Sequence, residues 1–399
     1  MADLNTLTGC IPSIFAARDE VSRELVGMIP AVRIDATSEQ AALNQTVTVR
    51  QYPSIAASTA VTPGAYAPDS GGRTINPVTM SITKVQMIPI QFTHEERKSI
   101  EAGYDDILKD AFSQAFRTLG NEVEYDLTTA AYQNASRGYG TPGTNPFASS
   151  NAILAQMGKI LDDNGAPGKN VPGMRTIVMN TAAGAAFRSL ANNISAYAAG
   201  TDATLRQGTL LNTLGFDLKE SAQIRNHTKG TMTGAQIAAA GEAAGQTTLS
   251  LDGSDSGTVL KGDLIKFGTG GGAGTGTDYD TLYALQDATH TLSGAASGNI
   301  VIGAPGLLVA RVDNDEATLA ANYTANLAFS RNAIVLMARA PAQLPSGKSN
   351  VQVMFVQDPV TGIIFEVSMY DQYRQSHIEV ALAWGVKVIK PEHVAIMVG

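Results

Sequence analysis

The chain has 399 residues, of which 44% are hydrophobic and 16% are charged, and its formal net charge is −8. This length predicts about two to three domains, and a surface with so little charge suits extensive contact with other protein. The single cysteine excludes an intramolecular disulfide. The lack of a strongly basic segment argues against tight, salt-sensitive binding to nucleic acid. We expect no membrane span, because no apolar stretch reaches about 18 residues, and no secretory signal at the start.

The first predicted element is a short amphipathic helix over residues 11–28. Its apolar residues, which include Ile14, Phe15 and Leu25, recur at helical spacing. Pro30 is expected to end this helix, because proline cannot continue the hydrogen-bond ladder.

Two stretches with strand-like alternation follow. In QTVTVRQY, Val47 and Val49 share one face. In PVTMSITKVQMIPI, the alternation changes phase after Ile82, which indicates a bulge or a kink. The turn-rich APDSGGRT lies between the two stretches. Residues 45–92 are therefore predicted to form a long antiparallel hairpin, which has little core of its own and needs a neighbour to pack against.

The period of the apolar residues then changes from strand-like to helical. The stripe that indicates a helix over about residues 104–134 comprises Tyr104, Leu108, Phe112, Phe116, Leu119, Val123, Leu127 and Ala130. At the rise of an α-helix this element would be roughly 46 Å long. We therefore expect this long helix to be a central element against which the other layers of the fold pack.

Beyond a loop with the sequence SRGYGTPGTNP, helices and strands alternate. A helix is predicted over residues 150–162, a buried strand at RTIVMN and a further helix at TAAGAAFRSLAN. Near the end of the chain, VQVMFVQDPVTGIIFEVSMY predicts a hairpin around Asp358 to Gly362. Trp384 is expected to be a core residue. This order of elements indicates an α+β fold.

The composition shifts toward glycine between Lys229 and Ala310. The strand candidates TTLSL, TVLKGDLIKFG, YDTLYAL and NIVIG are separated there by turns of Gly, Asp and Ser. Such spacing predicts a small all-β insert in the α+β body.

Partial matches to three binding motifs each lack a residue that the chemistry requires. HEERK begins like a zinc-binding helix, but Lys98 stands where the second histidine must be, so His94 is expected at a solvated helix start. AQLPSGKS ends like a phosphate loop, but Ala342 replaces the first glycine and a strand follows. DGSDSGTVLKGD matches part of a calcium loop but lacks the bidentate glutamate, so we interpret it as two turns of the insert. Its candidate ligand positions are Asp252, Ser254, Ser256, Gly257 and Asp263.

The stretch GTGGGAGTG, residues 268–276, contains six glycines and can be aligned with a dinucleotide fingerprint. That fingerprint needs a strand, then the glycines, then a helix. Here DLIKF before the glycines and DYDTLYAL after them are both predicted strands. We therefore interpret the stretch as the tip of a β-hairpin, where glycine supplies conformational freedom. No catalytic group, metal or cofactor is expected.

Three blocks of the sequence resemble the major capsid proteins of tailed bacteriophages, which have the HK97-like fold. These blocks are LNTLTGCIPSIFAARDEVSRELVGMIPAV, ANLAFSRNAIVLMARAPAQLPSG and SMYDQYRQSHIEVALAWGVKVIKPEHVAIMVG. With the order of elements, the resemblance is closest to coat proteins of the short-tailed, P-twenty-two type, which carry an extra β-domain inserted in the body. The insert of this chain is shorter than is typical of that type.

The resemblance implies a division of the chain into parts. In order these are the N-terminal arm (1–44), the E-loop hairpin (45–92), the peripheral domain with its spine helix (93–149), the axial domain (150–228), the inserted all-β domain (229–321) and the completion of the axial and peripheral domains (322–399).

The resemblance also implies a structural subunit, not an enzyme, that assembles with copies of itself into hexamers and pentamers of an icosahedral virion capsid around double-stranded DNA. It implies a scaffolding protein and a portal as partners, non-specific contact with DNA, assembly in the host bacterial cytoplasm, no membrane and no cofactor. An encapsulin-like cellular nanocompartment, which shares the fold, is the alternative, although the β-insert argues against it. The candidate subunit-contact residues are Arg73, Gly270, Gly272, Asp278 and Asp280.

Overall fold

The three-dimensional structure is a computed structural model that describes residues 7–20, 24–49, 63, 78–100, 104–169, 171–194, 203–208, 210, 212–238, 240–268, 281–287, 290–293, 298–342 and 351–399. The helices are α1 (Leu7–Glu20), α2 (His94–Ile100), α3 (Tyr104–Gln133), α4 (Ala152–Asp163), α5 (Thr181–Ser189), α6 (Ala191–Ile194) and α7 (Ala203–Gln207). The strands are β1 (Arg33–Ala41), β2 (Thr46–Val49), β3 (Val78–Ser81), β4 (Lys84–Thr93), β5 (Arg137–Gly140), β6 (Arg175–Met179), β7 (Asp217–Glu220), β8 (Asn226–His227), β9 (Thr233–Ile237), β10 (Thr248–Val259), β11 (Leu264–Phe267), β12 (Leu282–Ala284), β13 (His290–Ser293), β14 (Gly298–Val301), β15 (Glu316–Leu319), β16 (Tyr323–Ser330), β17 (Ile334–Pro341), β18 (Val351–Gln357), β19 (Ile364–Gln372), β20 (Gln375–Val388) and β21 (Val394–Val398).

Among the described helices, α3 is the longest, and it confirms the helix predicted over residues 104–134. Its 30 residues extend about 45 Å. The predicted stripe is buried from Tyr104 to Leu127, as the helical period requires. Ala130 is only half-buried, and its neighbour Ala131 takes the buried position at the C-terminal end. None of the described helices combines the length and apolar character needed to cross a membrane.

A six-stranded mixed sheet packs against α3. Its strand order is β1-β17-β20-β19-β18, and β4 pairs with the remaining edge of β20. β1 lies parallel to β17, and the other pairs are antiparallel. Phe116 of α3 contacts Phe365 of β19, with ring centroids 5.2 Å apart. Trp384 of β20 is fully buried, as expected from the sequence.

A larger sheet links the rest of the body to the glycine-rich part of the chain. Its order is β13-β10-β9-β15-β11-β12-β5-β21-β16-β6-β7, with β14 also paired to β10 and β8 also paired to β16. Helices α4 and α5 contribute Leu154, Met157 and Phe187 to a second core against this sheet. The two halves of the sheet meet where β12 pairs with β5, with Leu282 opposite Gly138.

The described elements between β9 and β15 are all strands. The strands predicted at TTLSL, TVLKGDLIKFG, YDTLYAL and NIVIG correspond to β10, β11, β12 and β14, whereas β9, β13 and β15 were not predicted. This segment has a hydrophobic cluster of its own. The cluster comprises Met232, Ala235, Ile237, Leu249, Leu251, Val259, Ile265, Phe267, Tyr283, Leu285, Leu292, Ile300, Ile302, Leu307 and Ala317.

The helix predicted over residues 11–28 is wrong in its bounds and only partly right in its buried residues, since Ile14 and Met28 are buried. α1 ends at Glu20, and residues 24–28 are not helical. Phe15 and Leu25, which were assigned to the buried face, are 39% and 52% exposed. Ile14, which was predicted, is buried in the face that packs on α3, together with the smaller Cys10 and Ala17. A search for large apolar side chains overlooks these two smaller residues.

The hairpin predicted over residues 45–92 is only partly correct. β2 and β3 pair in antiparallel register, with Val47 opposite Met80. β4 does not continue this hairpin, because it pairs along its whole length with β20. The break between β3 and β4 coincides with the predicted change of phase, and there the chain passes from one sheet to the other. The turn-rich stretch APDSGGRT lies outside the described residues.

The predictions for α4, β6, α5 and the β18–β19 hairpin are confirmed. At the hairpin turn, the Asp358 carboxylate accepts hydrogen bonds from the backbone N–H groups of Val360 and Thr361. The loop SRGYGTPGTNP contains a strand that was not predicted, β5, whose sequence RGYG has no strand-like alternation. Its parallel pairing with β21, with Arg137 opposite Ala395, holds it in the sheet.

Candidate functional site

Of the motif fragments in the sequence, HEERK and DGSDSGTVLKGD lie in the described part of the chain, whereas most of AQLPSGKS (343–349) lies outside the described residues. In the described part of the chain, no three His, Cys, Asp or Glu side chains are grouped so that they could hold a metal ion. His94 is the exposed first residue of α2, as expected. Glu96 and Thr93 form a capping box at the same helix start, since the Glu96 carboxylate accepts the Thr93 N–H at 2.8 Å. Burial raises the pKa of the Cys10 thiol to about 11, which keeps it protonated and unreactive at neutral pH.

The interpretation of DGSDSGTVLKGD as two turns is wrong. Most of this stretch belongs to one strand, β10, which pairs with β9 through a register shift between Gly253 and Ser256. A bulge of this kind lets a run rich in Gly and Ser remain in a sheet. Asp263, at the end of the stretch, is fully buried and bonded to protein. The stretch is therefore a structural part of the β-rich segment.

The strands on either side of the glycine-rich loop are placed as predicted. β11 and β12 pair in antiparallel register, with Leu264 opposite Ala284. Among the described residues, the first element after the glycines is the strand β12, whereas a dinucleotide fingerprint requires a helix. The candidate contact residues Arg73, Gly270, Gly272, Asp278 and Asp280 lie outside the described residues.

The β2–β3 ladder is seated on the face of the six-stranded sheet opposite α3. Gly385 of β20 permits this close approach, since a Cβ atom there would lie 2.1 Å from the carbonyl oxygen of Ser81. Lys387 also donates a hydrogen bond to the carbonyl oxygen of Thr79 at 2.8 Å. The ladder therefore contacts the sheet through β3 and a small apolar cluster. The apolar cluster beneath it consists of Ala41, Met80, Ile82, Val335, Met337 and Ala383.

A buried carboxylate on α3 holds the segment that follows α1. Glu124 accepts hydrogen bonds from the backbone N–H groups of Gly27 and Ile29, each at 2.8 Å, and of the residue between them. Burial raises the pKa of Glu124, and the hydrogen bonds from this backbone oppose the shift. A second contact fixes the same segment, because Glu24 pairs with Arg117 of α3 at 2.9 Å.

Asp126, also on α3, ties the six-stranded sheet to this helix. Its carboxylate accepts the indole N–H of Trp384 at 2.9 Å and contacts the Lys84 ammonium at 2.9 Å. Burial alone would lower the pKa of Lys84, but the hydrogen bonds and charges of Asp126 and Glu122 outweigh it and raise the pKa. This arrangement holds β4 and β20 against the helix.

A histidine–carboxylate pair lies where the β-rich segment joins the body. The His227 ring and the fully buried Asp263 are joined by a hydrogen bond of 2.8 Å. Asp263 also accepts the backbone N–H groups of Gly230 and Leu260. The Tyr323 ring lies 5.2 Å from the His227 ring. Sequence reasoning missed this junction, because its partners are 36 residues apart and share no local motif.

Several large apolar side chains are exposed and could contact another protein chain. They occur on the strands β4 and β18 and in the loop between β14 and β15. Side chains of this kind, at 37–61% exposure, are available to an interface. They are Val85, Met87, Val353, Phe355, Leu308, Val309 and Val312.

The comparison with known proteins found similar solved structures but did not assign the chain to a family. No family model matches the sequence, and no curated protein matches it. A solved structure from Mycobacterium phage Che8 is 14% identical, with a TM-score of 0.43 over 90% of this chain and 85% of that chain. The capsid of the cyanophage P-SCSP1u is 8% identical, with a TM-score of 0.43 over 94% of this chain and 88% of that chain.

A virus-like particle from Pyrococcus furiosus is also similar, at 6% identity and a TM-score of 0.43 over 98% of each chain. Several of the similar solved structures are bacteriophage capsids. At these identities and TM-scores, the similarities do not by themselves assign a family or a function to the chain.

Proposed function

We propose that this protein is a structural subunit of an icosahedral bacteriophage capsid. In this role it assembles into hexamers and pentamers that enclose double-stranded DNA, and it performs no catalysis. The order and packing of the elements carry the proposal. An N-terminal segment is hydrogen-bonded to the 30-residue helix α3. The two-stranded β2–β3 ladder packs through a small apolar cluster on the face of the six-stranded sheet opposite α3. A β-rich segment with its own core follows.

We propose that these parts are the ones that the sequence resemblance implies for an HK97-like coat protein. We assign α3 as the spine helix and the β2–β3 ladder as the root of the E-loop. β4 belongs with the sheet rather than with the loop, because it pairs with β20 over its whole length. We assign residues 229–321 as an inserted β-domain, which is supported by the separate hydrophobic cluster there.

The surface properties suit a shell subunit. Charged residues make up 16% of the chain, and exposed apolar side chains occur at a sheet edge and in a loop of the β-rich segment. A net charge of −8 would limit adhesion to packaged DNA. A scaffolding protein and a portal are the further partners that we propose.

Electron microscopy of the purified protein, expressed alone and with the scaffolding protein of its genomic neighbourhood, tests this function. Closed shells with hexamers and pentamers are the expected result. Shells that contain nuclease-protected DNA when the packaging machinery is present would distinguish a capsid from a nanocompartment, which would contain an enzyme cargo instead. A protein that stays monomeric under all of these conditions contradicts the proposal.

We also propose that Arg73 and the glycine-rich loop with Gly270, Gly272, Asp278 and Asp280 contact neighbouring subunits. The loop connects the paired strands β11 and β12, so a hairpin tip is the simplest connection between them. Replacing residues 270–274 with a two-residue turn should leave the subunit folded but reduce shell yield. Normal shells of unchanged stability would show that the loop only connects the two strands.

A further inference from the structure

The strand β18 forms one open edge of the six-stranded sheet. In the described part of the chain it pairs with β19 alone, along its whole length. Its sequence, VQVMFVQ, contains no charged residue, no proline and no glycine. A strand of this kind at a sheet edge presents unpaired backbone groups that can bond to a further strand.

The other two open strands of this sheet, β1 and β4, carry features that hinder the addition of a strand. β1 has a register shift between Ala36 and Gln40 and carries the charged Asp35. β4 carries Lys84 and Pro89, and proline has no N–H group to donate. Because β18 has none of these features, it is the edge of the described sheet that is suited to pairing with another chain.

The direction of the backbone groups of β18 follows from the geometry of the β18–β19 ladder. The N–H of Asp358, which follows β18, donates to the carbonyl oxygen of Ile363 at 2.9 Å. Because every second residue of an antiparallel strand bonds to the same neighbour, the alternate residues of β18 direct their N–H and C=O groups away from β19. These groups form no other backbone hydrogen bond within the described part of the chain. The residues that carry them are Val351, Val353, Phe355 and Gln357.

Two of these residues also expose large apolar side chains. Val353 is 37% exposed and Phe355 is 42% exposed. Val356, on the other face of the strand, is buried in the principal core. An edge that offers both free backbone groups and exposed apolar side chains selects an extended partner strand that is itself uncharged.

A second copy of β18 has the properties that this edge selects. When two copies run antiparallel with Met354 at the centre, Val353 of one copy lies opposite Phe355 of the other. In this register the outward N–H and C=O groups of the two copies face each other, so all of them can be bonded. No like charges meet, because the strand has none. Aromatic and β-branched side chains also form favourable cross-strand pairs.

We propose that β18 is a contact between copies of this chain, in which it pairs antiparallel with β18 of a second copy and joins two six-stranded sheets into one. The pairing deepens the proposed function, on which it rests, by naming one interface between subunits. Its two-fold axis is perpendicular to the sheet, so corresponding faces of the two sheets stay on the same side. This arrangement is compatible with a shell that has an inner and an outer surface.

Disulfide cross-linking of the full chain tests the pairing and its register. Val353→Cys and Phe355→Cys are prepared as separate proteins and are oxidised alone and as a mixture. The natural Cys10 is buried, so the wild type serves as a blank. Val360→Cys, at a position that is 59% exposed in the turn between β18 and β19, measures cross-linking by chance collision.

The proposed register makes the cross-link specific to the mixture. Residues 353 and 355 of different copies have Cα atoms about 5.5 Å apart, which is within the range of a disulfide. Two copies of residue 353, or two copies of residue 355, are diagonal neighbours at about 7–8 Å, which is beyond that range.

We expect the mixture to cross-link at least about tenfold faster than either variant alone, since pairing holds the two thiols at an effective concentration far above that of the chain. Either variant alone should cross-link no faster than Val360→Cys. A mixture that cross-links no faster than this control would overturn the proposal. A single variant that cross-links as fast as the mixture would overturn it too, because the register would be wrong.

The rates are measured in the free chain and again in assembled shells, which separates this inference from the proposed function. A specific cross-link in either state supports the pairing. Shells that form without the cross-link contradict the pairing and leave the shell function standing. A cross-link in a chain that never forms shells supports the pairing and contradicts the shell function.

Discussion

The carboxylate of Glu124 accepts the backbone N–H of Met28 at 2.6 Å, across 96 residues of sequence. The neighbouring N–H groups of Gly27 and Ile29 bond to the same carboxylate. One side chain of α3 therefore satisfies three consecutive backbone donors at the start of the short 3₁₀ helix Ile29–Ala31, where no intrahelical bond reaches them. Glu124 thus helps to attach the N-terminal part of the chain to the core, together with the Glu24–Arg117 pair and the packing of α1.

Replacing Glu124 with Gln should lower the free energy of unfolding by about 2–3 kcal/mol, because an NH₂ group would face a buried backbone donor. Chemical denaturation followed by circular dichroism measures the change. The matched control is Glu122→Gln on the same helix. Glu122 is 35% exposed and contacts Lys84 at 3.3 Å, so its loss should cost less than about 1 kcal/mol. Equal effects of the two substitutions would contradict the role assigned to Glu124.

Phe112→Ala and Phe116→Ala should each destabilise the subunit by about 3–5 kcal/mol, since each leaves a cavity in the principal core. Phe112 is fully buried, and Phe116 is 3% exposed. Ile107→Ala on the same helix, at a position that is 42% exposed, should change stability by less than about 1 kcal/mol. If the denaturation midpoints of the two phenylalanine variants do not differ from that of this control, the apolar stripe of α3 does not stabilise the core.

Gly385→Ala should displace the β2–β3 ladder, because the new Cβ atom would lie 2.1 Å from the carbonyl oxygen of Ser81. We expect a loss of about 1–3 kcal/mol, faster hydrogen exchange of the β3 amides and, under the proposed function, fewer shells. Gly120→Ala in α3 is the matched control. A Cβ atom there meets nothing within 4 Å, so this change should stabilise the helix by up to about 1 kcal/mol. Unchanged exchange in Gly385→Ala would mean that the ladder is not seated on β20.

The acid stability of the protein should depend on Asp162. Burial alone would raise the pKa of Asp162, but hydrogen bonds and charges of Lys169 and Arg175 outweigh it and lower the pKa. Arg175 is buried and contacts Asp162 at 2.7 Å. A lowered folded-state pKa contributes stability above the unfolded-state pKa of about 4, and this contribution is lost as the pH falls through the folded-state value.

Asp162→Asn should therefore be less stable than the wild type at neutral pH, and the gap should close as the pH falls below about 4. Urea denaturation at a series of pH values measures the gap. Asp163→Asn is the control, because Asp163 is 44% exposed and lies 3.8 Å from Lys159. A gap between wild type and Asp162→Asn that stays constant with pH would be incompatible with the ion pair as its source.

Elements with a strong local pattern were predictable from the sequence. α3 followed from its 3.6-residue period, and the β18–β19 hairpin from the turn at Asp358 to Gly362. The partner of β4 was not predictable, because its alternation is equally compatible with a hairpin to β2 and with a place beside β20. The strand β5 was not predicted, because RGYG has no strand-like alternation. It lies in the sheet because it pairs with β21 and β12.

The sequence by itself determined the class of elements, the buried stripe of α3 and the failure of each catalytic motif, since periodicity and missing motif residues are local properties. Only the tertiary structure decided which distant groups meet. Glu124 reaches the segment around Met28, Asp263 meets His227, and Asn326 accepts the backbone N–H of Asn180. The physical reason is that a buried polar side chain must find its partners in three dimensions, and nothing in its neighbours along the chain records where they are.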